Sequence, residues 1–213
     1  MRRGNGYIAI EGPIGVGKTS LAQALSREFN ARLILEDAEA NPFLTRFYND
    51  ADKYAFPAQV YFLLSRYNQQ RELAQQDLFS RTTVADYLFA KDRIFASLNL
   101  DPEEMALYDR VFGLLDAHMV RPDLVVYLAA RAEVLAERLR KRKRNFERYM
   151  TFDYLERVSE AYRDFFFYYD EAPLLVVDSS EIDFVGDSAD LADLIREIDR
   201  AKPGVQYFIP RKK

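Results

Sequence analysis

Gly12-Pro13-Ile14-Gly15-Val16-Gly17-Lys18-Thr19 constrains this chain more than any other stretch, because it fits the pattern G-x-x-x-x-G-K-[ST] in full. The apolar run Tyr7–Glu11 precedes it, and a helical pattern over Thr19–Phe29 follows. A strand, a glycine-rich turn and a helix start, in that order, build a cradle for phosphate. The glycines let backbone N–H groups turn inward, and the helix N-terminus adds partial positive charge. Lys18 has the reach for β- and γ-phosphates, and the Thr19 hydroxyl suits Mg²⁺. Residues Gly12, Pro13, Ile14, Gly15, Val16, Gly17, Lys18, Thr19 and Ser20 are therefore the expected ATP-binding segment.

Four more short apolar runs recur along the chain: Leu33–Glu36, Thr82–Asp86, Leu124–Ala129 and Leu174–Asp178. Near-continuous apolar strands suit a parallel sheet covered on both faces. Segments with helical spacing lie between them, notably Tyr54–Gln76 and Pro102–Met119. The second places Met105, Tyr108, Phe112, Leu115 and Met119 along one stripe. The expectation is a single α/β domain over residues 1–213, a five-stranded parallel sheet flanked by helices. Ligands should sit outside the carboxyl ends of the strands.

Composition closes off several alternatives. The chain has 213 residues, a net charge of −4 and no cysteine, so disulfides and cysteine-based metal or redox sites are impossible. The acidic balance argues against a dedicated nucleic-acid binder. No apolar run reaches the length of a membrane span, and no leader pattern opens the sequence, so a cytoplasmic enzyme is expected.

A phosphate cradle alone does not separate kinases from ATP-driven switches. Glu36 ends the second apolar run, where a carboxylate can orient an acceptor hydroxyl and accept its proton. Its plainer reading is a solvated acidic loop, with Asp37 and Glu39 as neighbours. Asp86 ends the third run, a position for a carboxylate that holds the hydration shell of Mg²⁺ or simply caps a helix. The basic run Arg138–Arg148 reads as a mobile lid whose arginines neutralise charge on a transferring phosphoryl group. A solvated helix end or a nucleic-acid patch would use the same composition. Arg138 and Arg142 share one helical face, which favours the lid.

Together these segments resemble the deoxyribonucleoside kinase family, in its bacterial purine-nucleoside branch, from about Tyr7 to Asp187. Four stretches carry the likeness: Ile10–Thr19; Glu36 with Asn41-Pro42-Phe43-Leu44 and Phe47-Tyr48; Ala85-Asp86-Tyr87 leading to Ile94-Phe95-Ala96; and Arg138-x-x-x-Arg142-x-Arg144-x-x-Glu147. The resemblance implies a P-loop kinase with an arginine-rich lid over about 138–150. It implies Glu36 as general base for a 5′-hydroxyl, Tyr48 and Glu147 on the sugar 3′-hydroxyl, Gln59 on the base edge and Phe95 stacked on the base. It further implies Arg142 and Arg144 as lid arginines, Arg138 against the adenine of ATP, and Asp183 and Phe184 within the adenine loop.

One departure stands out. Many members carry Glu-Arg-Ser or Asp-Arg-Ser after the third strand, with the arginine near the acceptor's 5′ end. An ungapped match on Phe95 gives Ala85-Asp86-Tyr87 here, so that arginine is absent and Asp86 serves either magnesium or the substrate. The implied reaction is transfer of the ATP γ-phosphoryl group to a small-molecule deoxynucleoside, with a purine favoured and no nucleic acid or membrane involved. Gln59 does not choose the base, since an amide presents a donor or an acceptor by rotating. The rivals are a nucleoside monophosphate kinase, disfavoured by the acidic segment Glu36–Glu39, and a non-catalytic ATP-binding module. The family's common dimers suggest a homodimer through the Pro102–Met119 region.

Overall fold

The structure, a computed structural model, describes residues 6–75, 82–142 and 150–210. Six strands form one sheet, all parallel: β1 (Tyr7–Glu11), β2 (Arg32–Ile34), β3 (Thr83–Ala85), β4 (Leu124–Ala129), β5 (Leu174–Asp178) and β6 (Val205–Phe208), in the order β2-β3-β1-β4-β5-β6. Eight helices connect them among the described residues: α1 (Lys18–Glu28), α2 (Leu44–Asn49), α3 (Ala51–Gln75), α4 (Lys91–Asn99), α5 (Pro102–Asp116), α6 (Ala132–Arg142), α7 (Phe152–Phe167) and α8 (Ser188–Asp199). The α/β class and the parallel sheet agree with the sequence reading, but there are six strands rather than five. The additional one, β6, is an edge strand with Val205 and Tyr207 facing solvent, so it lacks the continuous apolar run of the buried strands.

The central strands alternate between two cores. Ile8 and Ile10 pack to one side with Leu21, Leu25, Val126, Leu128, Leu194 and Ile198, beneath α1 and α8. Tyr7 and Ala9 face the other side with Tyr87, Tyr127, Val158, Tyr162 and Phe166, beneath α7. This period-two division of a strand buried on both faces fixes the register of β1, with Ile8 paired to Val84 and to Leu124. The carboxyl end of β1 is thereby held at the middle of the sheet, flanked by β3 and β4. Ligand crevices of open α/β sheets form at such points.

The stripe on α5 turns inward. Tyr108 and Phe112 are buried against Leu63 and Phe89, with Met105, Leu115 and Met119 packed around them. The large apolar side chains that this helix exposes are Leu107 and Leu114, seven residues apart and so on one face. An Asp101 capping box starts α5, with Pro102 in the first turn.

Candidate active site

The turn after β1 wraps tightly. Gly12, Gly15 and Gly17 all have positive φ, and Gly17 at +107° caps α1. A Cβ on Gly12 would lie 2.4 Å from the Leu128 carbonyl oxygen, so only glycine fits against β4 there. Lys18 Nζ donates to the carbonyls of Gly12 (2.7 Å) and Pro13 (3.2 Å), which folds its ammonium back over the turn. Burial, reinforced by the like charge of Lys91, pushes Lys18 down to about 8.

Two cavities open on this turn. The first, of about 900 Å³ and partly open to solvent, is lined by Glu36, Tyr48, Gln59, Arg66, Lys91 and Phe95, among others. The second, of about 1640 Å³ and also open, is bounded by Arg138 and the 180–185 loop. Gly15, Lys18, Thr19 and Arg142 line both, so the two meet at the lysine of the turn.

In the second cavity, Ser20 lines the wall and Val16 is buried in the core. Arg138 donates to the carbonyls of Val16 (3.1 Å), Ser179 (2.8 Å) and Ile182 (3.1 Å). It ties α6 to both the turn and the loop after β5, so it is a fixed strut. The Asp183 carboxylate accepts from Val185 and Gly186 N–H and organises the loop, while Phe184 is buried against Gly17. Both residues line the cavity, but Phe184 presents a ring already engaged in packing.

The first cavity collects residues from six helices, α1, α2, α3, α4, α6 and α7. The Asn41 side chain, buried, donates to the Ala58 carbonyl and accepts from Phe43 N–H, pinning the segment before α2 onto α3. That brings Tyr48 of α2 to the cavity beside Gln59 of α3, with the Tyr48 ring edge-on to Tyr154 of α7 at 6.5 Å. Gln59 is 4% exposed, and its Oε1 has no hydrogen-bond partner among the described residues. A buried acceptor left unmet is costly, unless a ligand meets it. Phe95 of α4 lines the same cavity, its ring edge-on to Tyr162 at 6.0 Å. Ile14 stands at the cavity wall.

Glu36 sits two residues past β2 and is bound by two cations. Arg66 Nε donates to Oε1 at 2.7 Å and a second guanidinium nitrogen joins it; Lys91 Nζ donates to Oε2 at 2.9 Å. Burial works to raise this carboxyl, but Arg66 and Lys91 outweigh it and hold Glu36 well below the usual carboxylate range. Of the acidic trio Glu36, Asp37 and Glu39, only Glu36 lines the cavity. Asp37 instead caps the short turn Ala38–Ala40. This end of the cavity is thus a carboxylate matched by buried cations rather than a plain acidic patch.

The Asp86 carboxylate bridges both sides. Oδ2 accepts from the Thr19 hydroxyl at 2.6 Å, and Oδ1 accepts from the Glu36 N–H at 2.7 Å. A hydroxyl and a carboxylate side by side at the phosphate cradle are hard oxygen donors that fit Mg²⁺. No group of three or more His, Cys, Asp or Glu side chains able to hold a metal occurs among the described residues. A metal here would accordingly take most of its coordination from phosphate and water.

Arg144 and Glu147, and lid positions 143–149 generally, lie outside the described residues. Sequence reasoning missed Arg66, Lys91 and Glu11. Arg66 follows Gln59 and Phe62 at the i, i+3, i+7 spacing of one helix face, a signal present in the sequence. Glu11, fully buried, accepts from Gly12 N–H (2.8 Å), Leu88 N–H (2.7 Å) and the Tyr162 hydroxyl (3.0 Å), joining the cradle to α7.

The family model described as deoxynucleoside kinase matches residues 8–201. A deoxyguanosine kinase of Bacillus subtilis is 35% identical over 189 residues, covering 86% of this chain and 91% of that one. A deoxyadenosine kinase of Dictyostelium discoideum is 37% identical over 164 residues, covering 75% of this chain and 66% of that one. In fold, the chain matches a deoxyadenosine kinase from M. mycoides with bound dATP at a TM-score of 0.80 and 24% identity, covering 92% of this chain and 100% of the other. The chain belongs to the deoxynucleoside kinase family.

Proposed function

We propose that this chain moves the γ-phosphoryl group of ATP to the 5′-hydroxyl of a deoxyribonucleoside, with a purine nucleoside as the preferred acceptor. The meeting of two cavities at Gly15, Lys18, Thr19 and Arg142 carries the reading, since a donor and an acceptor in them would face each other across Lys18. The larger cavity takes the nucleotide, with Arg138, Asp183 and Phe184 around its base. The smaller takes the nucleoside, with Gln59 on the base edge, Phe95 on the base face and Tyr48 at the sugar. Glu147 joins Tyr48 there on the family likeness alone. The deoxyguanosine and deoxyadenosine kinases among the relatives support a purine acceptor.

Glu36 orients the 5′-hydroxyl and takes its proton on Oε2 as the oxygen–phosphorus bond forms. The bond from the γ-phosphorus to the β,γ-bridging oxygen breaks, and its electron pair leaves with ADP. A group held so strongly ionised takes the proton late, which suits a loose transition state in which positioning and electrostatics dominate. Lys18 and Arg142 stabilise the charge on the transferring group, and Arg144 does so on the family likeness. Thr19 and Asp86 would hold Mg²⁺, which when bound neutralises phosphate charge.

The same reading treats the chain as one domain, because a single sheet positions both cavities. It also includes a cytoplasmic homodimer. The dimer is supported by the exposed Leu107 and Leu114 on one face of α5, and Leu64 is likewise exposed on α3, which packs against α5. No described helix is long and apolar enough to cross a membrane.

The test is steady-state phosphorylation of the four deoxynucleosides and of thymidine monophosphate, with wild type and E36Q. Purine deoxynucleoside turnover that collapses in E36Q supports the reading. Turnover of the monophosphate alone replaces it with a nucleotide kinase, and ATP binding without turnover of any acceptor leaves a non-catalytic module.

A further inference from the structure

Lys91 is the first residue of α4, where a cation opposes the helix dipole, and its side chain is only 3% exposed. Burying an ammonium is costly unless it is matched. Its Nζ lies 2.9 Å from Glu36 Oε2 and 4.0 Å from Glu11 Oε2, and it lines the acceptor cavity together with Lys18 and Thr19. Pairing with Glu36 and Glu11 offsets that cost, and it leaves the ammonium at the wall of the acceptor cavity, beside the atom expected to take the proton.

We propose that Lys91 is a catalytic residue, donating from the acceptor side to the oxygen entering the transferred phosphoryl group while Lys18 acts from the donor side. An ammonium carries three donors, so one can keep Glu36 Oε2 while another meets the incoming oxygen, which must also approach Oε2. Glu11, bonded to Gly12 N–H through its other oxygen, fixes where Lys91 stands relative to the phosphate cradle. Lys91 and Lys18 repel each other across the junction, and an anion arriving between them removes that repulsion. Such an interaction strengthens as charge develops, so it acts on turnover more than on substrate binding. The inference rests on the acceptor site and the role of Glu36 argued above.

The experiment compares K91M, K91Q, K91R and E36Q, measuring kcat, KM for deoxyguanosine and deoxyadenosine, ATP binding and thermal stability. For K91M the expected result is a kcat lowered at least 100-fold, with KM and ATP binding within about threefold. Recovery of at least tenfold is expected in K91R, which keeps the charge. A kcat loss in K91M with KM, ATP binding and melting temperature unchanged is the readout that a merely structural lysine would not give. A kcat within threefold of wild type in K91M, or a loss confined to KM, overturns the proposal. If K91M does not fold, K91Q is read by the same criteria; if neither folds, Lys91 holds the core together and the proposal fails. An E36Q enzyme that remains active defeats the underlying reading of the site, whereas an inactive E36Q beside an active K91M defeats the role of Lys91 alone.

Discussion

The Thr19 hydroxyl donates to Asp86 Oδ2 across 2.6 Å, and the other oxygen of that carboxylate holds the N–H of Glu36. One side chain therefore registers the helix at the phosphate cradle against the segment that carries the candidate base. The same geometry offers magnesium two adjacent oxygens. In D86N the shape is kept, but one oxygen becomes a donor with no charge to offer the metal. The expected outcome is a turnover at least 100-fold lower and a Mg²⁺ half-saturation at least tenfold higher, read from rates against free Mg²⁺ at fixed ATP. If Asp86 serves the substrate instead, KM for the nucleoside rises and the magnesium requirement stays unchanged.

Glu36 leads to a prediction about pH. Burial alone would raise this carboxyl, but Arg66 and Lys91 pull harder the other way, so the folded group is depressed below its unfolded value near 4.3. A depressed carboxylate contributes stability above the unfolded value and loses that contribution as pH falls through the folded one. Between pH 5 and 9 Glu36 therefore stays ionised, and kcat should show no acid limb from it. R66Q removes the stronger of the two opposing charges, so the carboxyl rises and an acid limb should enter above pH 5. A pH–rate comparison of the two enzymes decides it. A wild-type limb at pH 5–6 that E36Q lacks would mean that the cations do not control this group.

Gln59 separates binding from stability. Its Oε1 is buried without a partner among the described residues, so the free protein carries the cost of an unmet acceptor. Q59L keeps the volume and removes the polar atom, so the ligand-free protein should be as stable as wild type or slightly more so. The nucleoside then loses its hydrogen bonds, and kcat/KM should fall 10- to 100-fold, about 1–3 kcal/mol. Melting curves and kinetics on the same preparation test both halves. A Q59L protein that loses stability along with activity would place Gln59 in the scaffold.

These predictions draw unequally on what the sequence made legible. The phosphate cradle was readable because its glycines, lysine and threonine are contiguous and each does a local job. The inner strands were readable because burial on both faces leaves an apolar run with no alternation. β6 was not, since Val205 and Tyr207 face solvent and its four residues carry no such run. Arg66 and Lys91 escaped notice because a lone cation on a helix says nothing of its partner. Glu36 lies 30 and 55 positions away from them in sequence, and only the sheet order brings the three together. The α5 stripe shows the converse: its period was right, but periodicity cannot say whether an apolar face meets the core or a second subunit, and here it meets the core.

Two glycines provide the last test, because they differ in what a methyl group would meet. At Gly12, φ is +151° and an added Cβ would stand 2.4 Å from the Leu128 carbonyl oxygen, a backbone atom fixed by the pairing of β4 with β1 and β5. Neither atom can yield without moving a central strand, so G12A should destabilise by about 3 kcal/mol or more. Gly113 lies inside α5 with nothing within 4 Å of its would-be Cβ. There alanine relieves the entropy cost of glycine in a helix, and G113A should gain about 0.5–1 kcal/mol. For a chain of this size that is a rise of roughly 1–4 °C in Tm. Parallel urea and thermal melts measure both. Since Gly113 adjoins Leu114 on the face proposed for the dimer, a G113A protein that is less stable and more monomeric than wild type would show that a second subunit approaches this helix at the glycine.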